Sequence, residues 1–294
     1  MPQTRYLSFR VADFKDPLSA RFQRMEMVQG VCLRRPRQEY DTMQEGVVHL
    51  VWCRTSDTHD SLESALLPIL DEDERKRFDR FCFATDQKSF LVGHVLARTM
   101  LAAISGRSPE TWAFRLGPHG KPEPVIHPGE PDLRMNLSHC KGLAMVGVTV
   151  SRNIGVDVEA ANRPHALEVA DKFFAAEEIR QIEEAREAGC PHAATSIWTL
   201  KEALLKASGT GLSVPLDSFA VGLSPPRLIH EGHLGTADRW SLFQFPISED
   251  VLAAVAVERA PGCGAPAMHR LEVTVHTLSD LAARPSRFKD LGVC

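Results

Sequence analysis

Asp157, Glu159 and Glu202, together with Lys201 and Lys206, are the residues of this chain best suited to do chemistry. Three carboxylates can hold a divalent metal ion, and two ammonium groups can grip a polyphosphate. They fall in two short stretches about forty residues apart, Gly155-Val-Asp-Val-Glu159 and Trp198-Thr-Leu-Lys-Glu-Ala-Leu-Leu-Lys-Ala-Ser-Gly-Thr-Gly-Leu212.

The elements that must position them can be read from periodicity. Ile154, Val156 and Val158 alternate as in a strand, where successive side chains point to opposite faces, so Asp157 and Glu159 share one face. Taken alone, that pair fits a solvated strand edge as well as it fits a ligand pair. Trp198, Glu202 and Lys206 recur every fourth residue, which predicts a helix with all three on one face and Lys201 beside them. A Glu with a Lys four residues on is commonly a surface ion pair worth a few tenths of a kcal/mol. Trp198, one turn ahead of Glu202, argues instead that this face turns toward the interior or a cleft. Gly209 and Gly211 supply the left-handed residue that closes a helix.

With 294 residues, 44% of them hydrophobic, the chain can bury a large core as one big domain or two small ones. Its net charge of −4 argues against a broad nucleic-acid surface while permitting a local basic groove. No apolar run reaches the length of a membrane helix. The seven cysteines (Cys32, Cys53, Cys82, Cys140, Cys190, Cys263, Cys294) are odd in number and never spaced C-x-x-C. That pattern predicts free, mostly buried thiols in a reducing compartment, hence a cytoplasmic protein. The first forty residues are rich in arginine (Arg5, Arg10, Arg21, Arg24, Arg34, Arg35, Arg37). A transit peptide is one reading; Asp13, Asp16 and Glu26 favour the other, an irregular extension packed outside the core, because transit peptides are poor in acids.

The order of elements repeats. From Val47 to Val150 the pattern predicts a strand (Val47 to Cys53), a charged helix (Asp71 to Phe81), an apolar helix (Phe90 to Ile104), and strands near Trp112 to Leu116 and Leu143 to Val150. From Ile154 to Glu258 the same order returns, with a strand (Ile154 to Val158), a charged helix (Ala176 to Ala185), an apolar helix (Ile197 to Ala207), and strands near Ser218 to Leu223 and Leu252 to Val257. Leu143-Ala-Met-Val-Gly-Val148 answers Leu252-Ala-Ala-Val-Ala-Val257. The expected fold is α+β, two similar lobes in pseudo-two-fold arrangement. The expected divisions are an N-terminal extension over 1–46, a first lobe over 47–152, a second over 153–260, and a C-terminal extension over 261–294. A doubly wound α/β fold would need one-for-one alternation and usually a glycine-rich phosphate turn, and neither is present. Two such lobes create a cleft between them, where ligands commonly bind. The acids belong to the second lobe. The first offers Arg75-Lys-Arg77 on its charged helix, His119-Gly-Lys121 in a turn and Asn136-Leu-Ser-His139 before a strand. Carboxylates on one wall and cations on the other suit a magnesium-bound phosphate ester.

At this point the set resembles a known family. Gly-Val-Asp-Val-Glu, then Phe173-Phe174 with Glu177 and Glu178 behind, then Trp-x-x-Lys-Glu-x-x-x-Lys-x-x-Gly-x-Gly-Leu is similar to the signature of the 4′-phosphopantetheinyl transferases. Gly120-Lys-Pro and Asn136-Leu-Ser-His139 fit the same family in the right order. The duplicated length resembles the monomeric surfactin-synthetase-activating type. The resemblance runs from about Val47 to Glu258, and Leu271 to Leu281 faintly resembles the tail of the animal-type enzyme.

What the resemblance implies is Mg²⁺-dependent transfer of the phosphopantetheine arm of coenzyme A to a serine of an acyl or peptidyl carrier protein, releasing adenosine 3′,5′-bisphosphate. The implied metal ligands are Asp157, Glu159 and Glu202; Glu159 stands where some members have an apolar residue. Glu202 is the implied base and Lys206 the group that stabilises or protonates the leaving phosphate. Coenzyme A would meet Asp157, Glu202 and Lys206 in the second lobe, and Arg77, Gly120, Lys121, Asn136, Ser138 and His139 in the first, with His139 and Ser138 at the 3′-phosphate. Arg75 or Lys76 stays an alternative to Arg77, and Glu177 and Glu178 are left out of the ligand set. Phe173-Phe174 and the stretch around Leu212 are expected to dock the carrier. Two rival readings keep the same cleft: a Mg²⁺-dependent coenzyme A or nucleotide pyrophosphate hydrolase, and a catalytically silent carrier-binding module. The sequence leaves open which carriers are served.

Overall fold

Long apolar runs set the framework, because a strand covered on both faces must be apolar at every position. The computed structural model describes residues 10–12, 22–24, 47–56, 58, 60–140, 142–163, 165–260 and 262–287. Most of the arginine-rich N-terminal stretch therefore lies outside the described residues, which there comprise only the antiparallel pair β1 (Arg10–Ala12) and β2 (Phe22–Arg24). Next come β3 (Val47–Arg54), α1 (Asp60–Leu66), α2 (Glu72–Phe78), α3 (Ala84–Ser105), β4 (Phe114–Leu116), β5 (Pro122–Pro124), β6 (Leu133–Cys140) and β7 (Leu143–Val150). The second half holds β8 (Ile154–Ala160), α4 (Ala166–Phe173), α5 (Ala176–Glu187), α6 (Ala193–Ser208), β9 (Ala220–Leu223), β10 (Pro226–His230), β11 (Trp240–Ser248) and β12 (Val251–Glu258). The chain then adds β13 (Ala267–Val273) and α7 (Val275–Ala283).

Two sheets carry the fold, one in the order β13-β3-β7-β6 and one in the order β11-β12-β8. β3-β7-β6 and β8-β12-β11 are the same antiparallel arrangement, with the largely apolar β7 or β12 in the middle. The α+β duplication is therefore present. Helix α3 covers one face of the first sheet and α6 one face of the second, each with its own apolar core. The opposite faces meet in a third core that includes Leu50, Trp52, Met145, Val156, Val158, Phe245 and Val255. Both long helices end where expected, at Gly106 (φ 78°) and Gly209 (φ 73°), left-handed positions that release the chain from the helix.

Three elements differ from the sequence expectation. β6 and β11 are full strands, although Asn136 to His139 read as a segment before a strand; Leu133, Met135 and Leu137 alternate with Arg134, Asn136 and Ser138 as a strand requires, and both strands pair along their length with β7 and β12. Trp112 lies outside any strand and is buried against α3, leaving the short ribbon β4–β5. The segment after 260 does more than extend the chain: β13 pairs in parallel with β3, and α7 joins the core of α3.

Candidate functional site

The two sheets approach through their edges, β6 of the first and β8 of the second. An unpaired strand edge must satisfy its backbone N–H groups. Here β6 does so with side chains. Val156 N donates to Asn136 Oδ1 (2.8 Å) and Val158 N to Ser138 Oγ (3.3 Å). The alternation of β8 then sends Asp157 and Glu159 into the space over this junction.

Helix α6 lies directly on β8, and Gly155 makes that possible. A Cβ there would collide with the Ala203 carbonyl and the Ala207 N of α6. The close approach brings Glu202 and Lys206 over the carboxylates. Lys206 Nζ donates to Asp157 Oδ1 (2.6 Å) and to Ser138 Oγ (3.1 Å), and Ser138 Oγ donates to the same Asp157 oxygen at 3.0 Å. The result is a cleft of ≈ 340 Å³ lined by Ser138, His139, Asp157, Glu159, Trp198, Glu202, Lys206 and Leu212. Six of the predicted site residues thus converge from three elements and both lobes.

The cleft holds more negative charge than its cations neutralise. Burial raises the Glu202 pKa, and Asp157 and Glu159 add to the rise against the pull of Lys206. Burial and Asp157 likewise raise Glu159, although its Oε1 accepts from Arg163 Nη1 at 2.7 Å. His139 moves the other way: desolvation by the cleft walls and the nearby Lys206 ammonium hold it below the usual imidazole value. Asp157 Oδ2 is buried without a hydrogen-bond partner.

That unpartnered oxygen fits a metal ion. Among the described residues no three His, Cys, Asp or Glu side chains already form a metal-binding group. A magnesium ion does not require one, because it keeps several waters and takes one or two carboxylates plus substrate oxygens.

The remaining predicted residues stand elsewhere. Asn136 is buried and spent on the Val156 N–H. Lys121 reaches Ile154 O at 2.9 Å across the lobe junction, and burial lowers its pKa to about 8. Gly120 (φ 79°) closes the turn that carries Lys121, donating to Gly117 O at 2.9 Å. On α2, Arg75 bonds Leu70 O and Pro68 O, and Lys76 pairs with Glu72 and Asp73. Arg77 is exposed and lies 5.4 Å from the centre of the Phe90 ring, which stacks on His94 at 4.0 Å. Lys201 is no ligand of the cleft: it is fully buried, 2.6 Å from Glu178 Oε1 and 2.7 Å from Phe219 O.

Sequence reasoning missed Arg163, which bonds Glu159 and stacks 3.9 Å from the centre of the Trp198 ring. Nothing in its loop announced it. It also missed His94, buried with Nδ1 2.7 Å from Glu74 Oε1; only its position on an apolar helix near Phe90 hinted at a role.

A lysine, a histidine and surplus carboxylate thus meet in one cleft at the seam of two α+β lobes. Residues 56–150 match the family model for the 4′-phosphopantetheinyl transferase N-terminal region, and residues 153–256 match that of the 4′-phosphopantetheinyl transferase superfamily. The 4′-phosphopantetheinyl transferase HetI of Nostoc sp. is 31% identical over 223 residues, covering 76% of this chain and 92% of that protein. A Bacillus subtilis 4′-phosphopantetheinyl transferase is 32% identical over 176 residues, 58% of this chain and 72% of its own length. The Sfp enzyme of Bacillus subtilis strain 168 is 30% identical over 157 residues, 53% and 68% of the two chains. A solved Thermotoga maritima holo-[acyl-carrier-protein] synthase overlaps 36% of this chain and 62% of its own at 21% identity and a TM-score of 0.32, a likeness too partial to build on. The chain belongs to the 4′-phosphopantetheinyl transferase family, and its activity is 4′-phosphopantetheinyl transfer to carrier proteins.

Proposed function

We propose that the cleft takes coenzyme A as donor, with Mg²⁺, and that Glu202 and Lys206 carry the reaction. The observation that supports this most is the convergence of Ser138, His139, Asp157, Glu159, Glu202 and Lys206 on one cavity. Asp157 with its free Oδ2, Glu202 and Glu159 would hold the metal ion. Its chemistry there is screening of the pyrophosphate charge. His139 and Ser138 would bond the 3′-phosphate, with Lys121 and Arg77 as further cations on the first-lobe side. Of the three basic residues on α2, Arg77 alone among the described contacts has no ion pair or carbonyl partner, which favours it over Arg75 and Lys76.

In the transfer, the carrier serine hydroxyl attacks the β-phosphorus and gives its proton to Glu202. The bond from that phosphorus to the bridging oxygen breaks, and adenosine 3′,5′-bisphosphate leaves with the bond electrons. The raised pKa makes Glu202 a stronger proton acceptor than an ordinary carboxylate. Lys206, one helical turn on, neutralises the charge gathering on the departing phosphate. Exposed Phe173 and Leu212 offer apolar contact for the carrier, whereas Phe174 is buried in the second core. Among the described residues no helix is long and apolar enough to cross a membrane. We place the enzyme in the cytoplasm as a monomer, since both halves of the cleft come from one chain.

Intact-mass spectrometry of an apo acyl carrier protein incubated with the enzyme, coenzyme A and Mg²⁺ tests this. The expected result is a mass gain of one phosphopantetheine, lost with EDTA. Cleavage of coenzyme A without gain on several unrelated carriers would instead support the hydrolase reading.

A further inference from the structure

A second cavity lies where the chain passes between the lobes. The first passage, Ser151 to Asn153, links β7 to β8, and the second leaves β12 at Arg259 on its way to β13. Between them is a space of ≈ 800 Å³ lined by residues including Ser151, Arg152, Asp238, Arg239, Glu258 and Arg259. That volume is typical of small-molecule sites. None of the cleft residues lines it.

The polar groups of this cavity are unevenly satisfied. Ser151 sits at φ 54°, a left-handed position that turns the chain sharply just before Arg152. Arg152 is only 9% exposed, and its Nη1 is buried without a hydrogen-bond partner. A buried guanidinium N–H without an acceptor is costly, and a rotation of this side chain at the cavity wall would present it to an acceptor from outside the protein. Glu258 is already engaged, with Oε1 on Arg239 Nε (2.9 Å) and Oε2 on Asn153 Nδ2 (2.7 Å). Arg259 is anchored by Nε to Ser241 Oγ at 2.9 Å, and its two terminal nitrogens have no partner among the described residues. Three guanidiniums face two carboxylates, and Asp238 is an exposed rim residue with no ion pair among the described residues. The interior is therefore a donor-rich, cationic concavity.

We propose that this cavity is a second ligand site for a phosphorylated small molecule, with Arg152 and Arg259 gripping the phosphate. The planar fork of arginine matches phosphate oxygens two at a time, which a lysine cannot do. The volume leaves room for a nucleoside or sugar beyond the phosphate. Since Arg152 lies on one inter-lobe passage and Arg259 on the other, the ligand ties the two passages together and raises the melting temperature.

The test is isothermal titration of the full-length protein with adenosine 5′-monophosphate, inorganic phosphate and citrate, alongside thermal melts. Lys206→Met silences the transfer cleft, and Arg259→Gln perturbs the new site without entering the core. Binding that persists in Lys206→Met and weakens about tenfold or more in Arg259→Gln supports the proposal, the loss being that of a charge-assisted hydrogen bond. Arg259→Gln should keep wild-type transfer to a carrier. Arg152→Gln, if it folds, should repeat the loss. Equal weakening of phosphate and the nucleotide shows that the phosphate is what is read. The proposal is overturned if nucleotide binding disappears in Lys206→Met and survives in Arg259→Gln, if citrate outcompetes both phosphates, or if neither phosphate binds.

Discussion

The two lobes share a buried ion pair at equivalent places, and almost none of the chemistry. In the first, Glu74 near the start of α2 bonds Arg98 of α3 (2.9 Å), and Arg98 continues to Trp112 O (2.6 Å). In the second, Glu178 near the start of α5 bonds Lys201 of α6, which continues to Phe219 O. Each glutamate also closes its own helix, accepting from the backbone N of Asp71 or Ala175. Alignment on these bases sets Glu202 and Lys206 of α6 opposite Thr99 and Ala103 of α3. Thr99 turns its hydroxyl to Val95 O, and Ala103 is core. The duplicated part is thus the frame that holds helix to sheet, and the reactive groups were placed on one copy of it.

The strands repeat the contrast. On the face that α6 covers, β8 presents Asp157 opposite Ala254 of β12; on the faces that meet between the sheets, β3 and β11 present Trp52 and Phe245. Trp52 and Phe245 lie 6.2 Å apart, with Arg270 4.8 Å from the centre of the Phe245 ring. The β6–β8 junction carries a polar cleft, whereas β3 and β11 meet through aromatic packing. A duplicated fold needs only one open seam, and closing the other supplies core that the open one forgoes.

The difference can be broken most severely at Gly155. There α6 leaves no room for a side chain over β8, since a Cβ would meet the Ala203 carbonyl oxygen and the Ala207 N. Gly155→Ala forces helix and strand apart, with an expected loss beyond about 4 kcal/mol and no measurable transfer. A melt within a few degrees of wild type would show that the close approach is dispensable.

The shared ion pairs should fail alike. Lys201→Met or Arg98→Met strands a buried carboxylate, costing about 3–5 kcal/mol each in denaturant melts. Replacing both partners, Glu178→Leu with Lys201→Met, should recover much of that loss. A Lys201 variant that folds normally yet loses coenzyme A affinity would return Lys201 to the cleft.

The two junctions separate stability from activity. Trp52→Ala should cost about 3–5 kcal/mol of stability while the folded fraction keeps its turnover. Asp157→Asn should do the reverse, lowering turnover by about a hundredfold or more with little change in melting. If both variants lose both properties, the seams are not functionally distinct.

The division between frame and chemistry also decides what could be read from the sequence. The cleft carboxylates, Lys206 and the long helices were legible because strand and helix periods place them on common faces without reference to the rest of the chain. Ser138 and His139 were legible only through the family resemblance; their strand went unread, although Leu133, Met135 and Leu137 alternate with Arg134, Asn136 and Ser138. Lys201 misled for a physical reason. A lysine beside a catalytic-looking face gives no local sign that its partner is a glutamate on another helix. Arg163 and the pairing of β13 with β3 depend on contacts between distant segments, which no local pattern encodes. Five of the seven cysteines fall within the described residues, and none of the five forms a disulfide, as expected, but Cys82, Cys190 and Cys263 are exposed where buried thiols were expected; Cys32 and Cys294 lie outside the described residues.

The smallest expected effect concerns charge in the open seam. Glu202 faces Asp157 and Glu159 from β8, Lys206 from its own helix, Arg163 from the loop after β8 and His139 from β6, and its pKa is raised above the ordinary 4.5. A carboxyl whose folded pKa exceeds its unfolded value binds its proton more tightly when folded. Its favourable contribution is complete below the unfolded pKa and is lost as pH rises through the folded one. At neutral pH the ionised Glu202 therefore weakens the metal-free fold, and Glu202→Gln removes that burden. The variant should melt a few degrees above wild type at pH 7.5, with the gap closing as pH falls toward 4.5. Its transfer activity should nevertheless be lost while coenzyme A still binds. Added Mg²⁺ should raise the wild-type melting temperature more than that of the variant, because the ion relieves the same repulsion. No counterpart of this pH dependence is expected from Thr99→Val at the matching position in α3, which carries no charge. A Glu202→Gln variant no more stable than wild type at neutral pH would mean that Lys206 and Arg163 already balance the cleft, and the surplus of negative charge would cease to be a reason for placing a metal there.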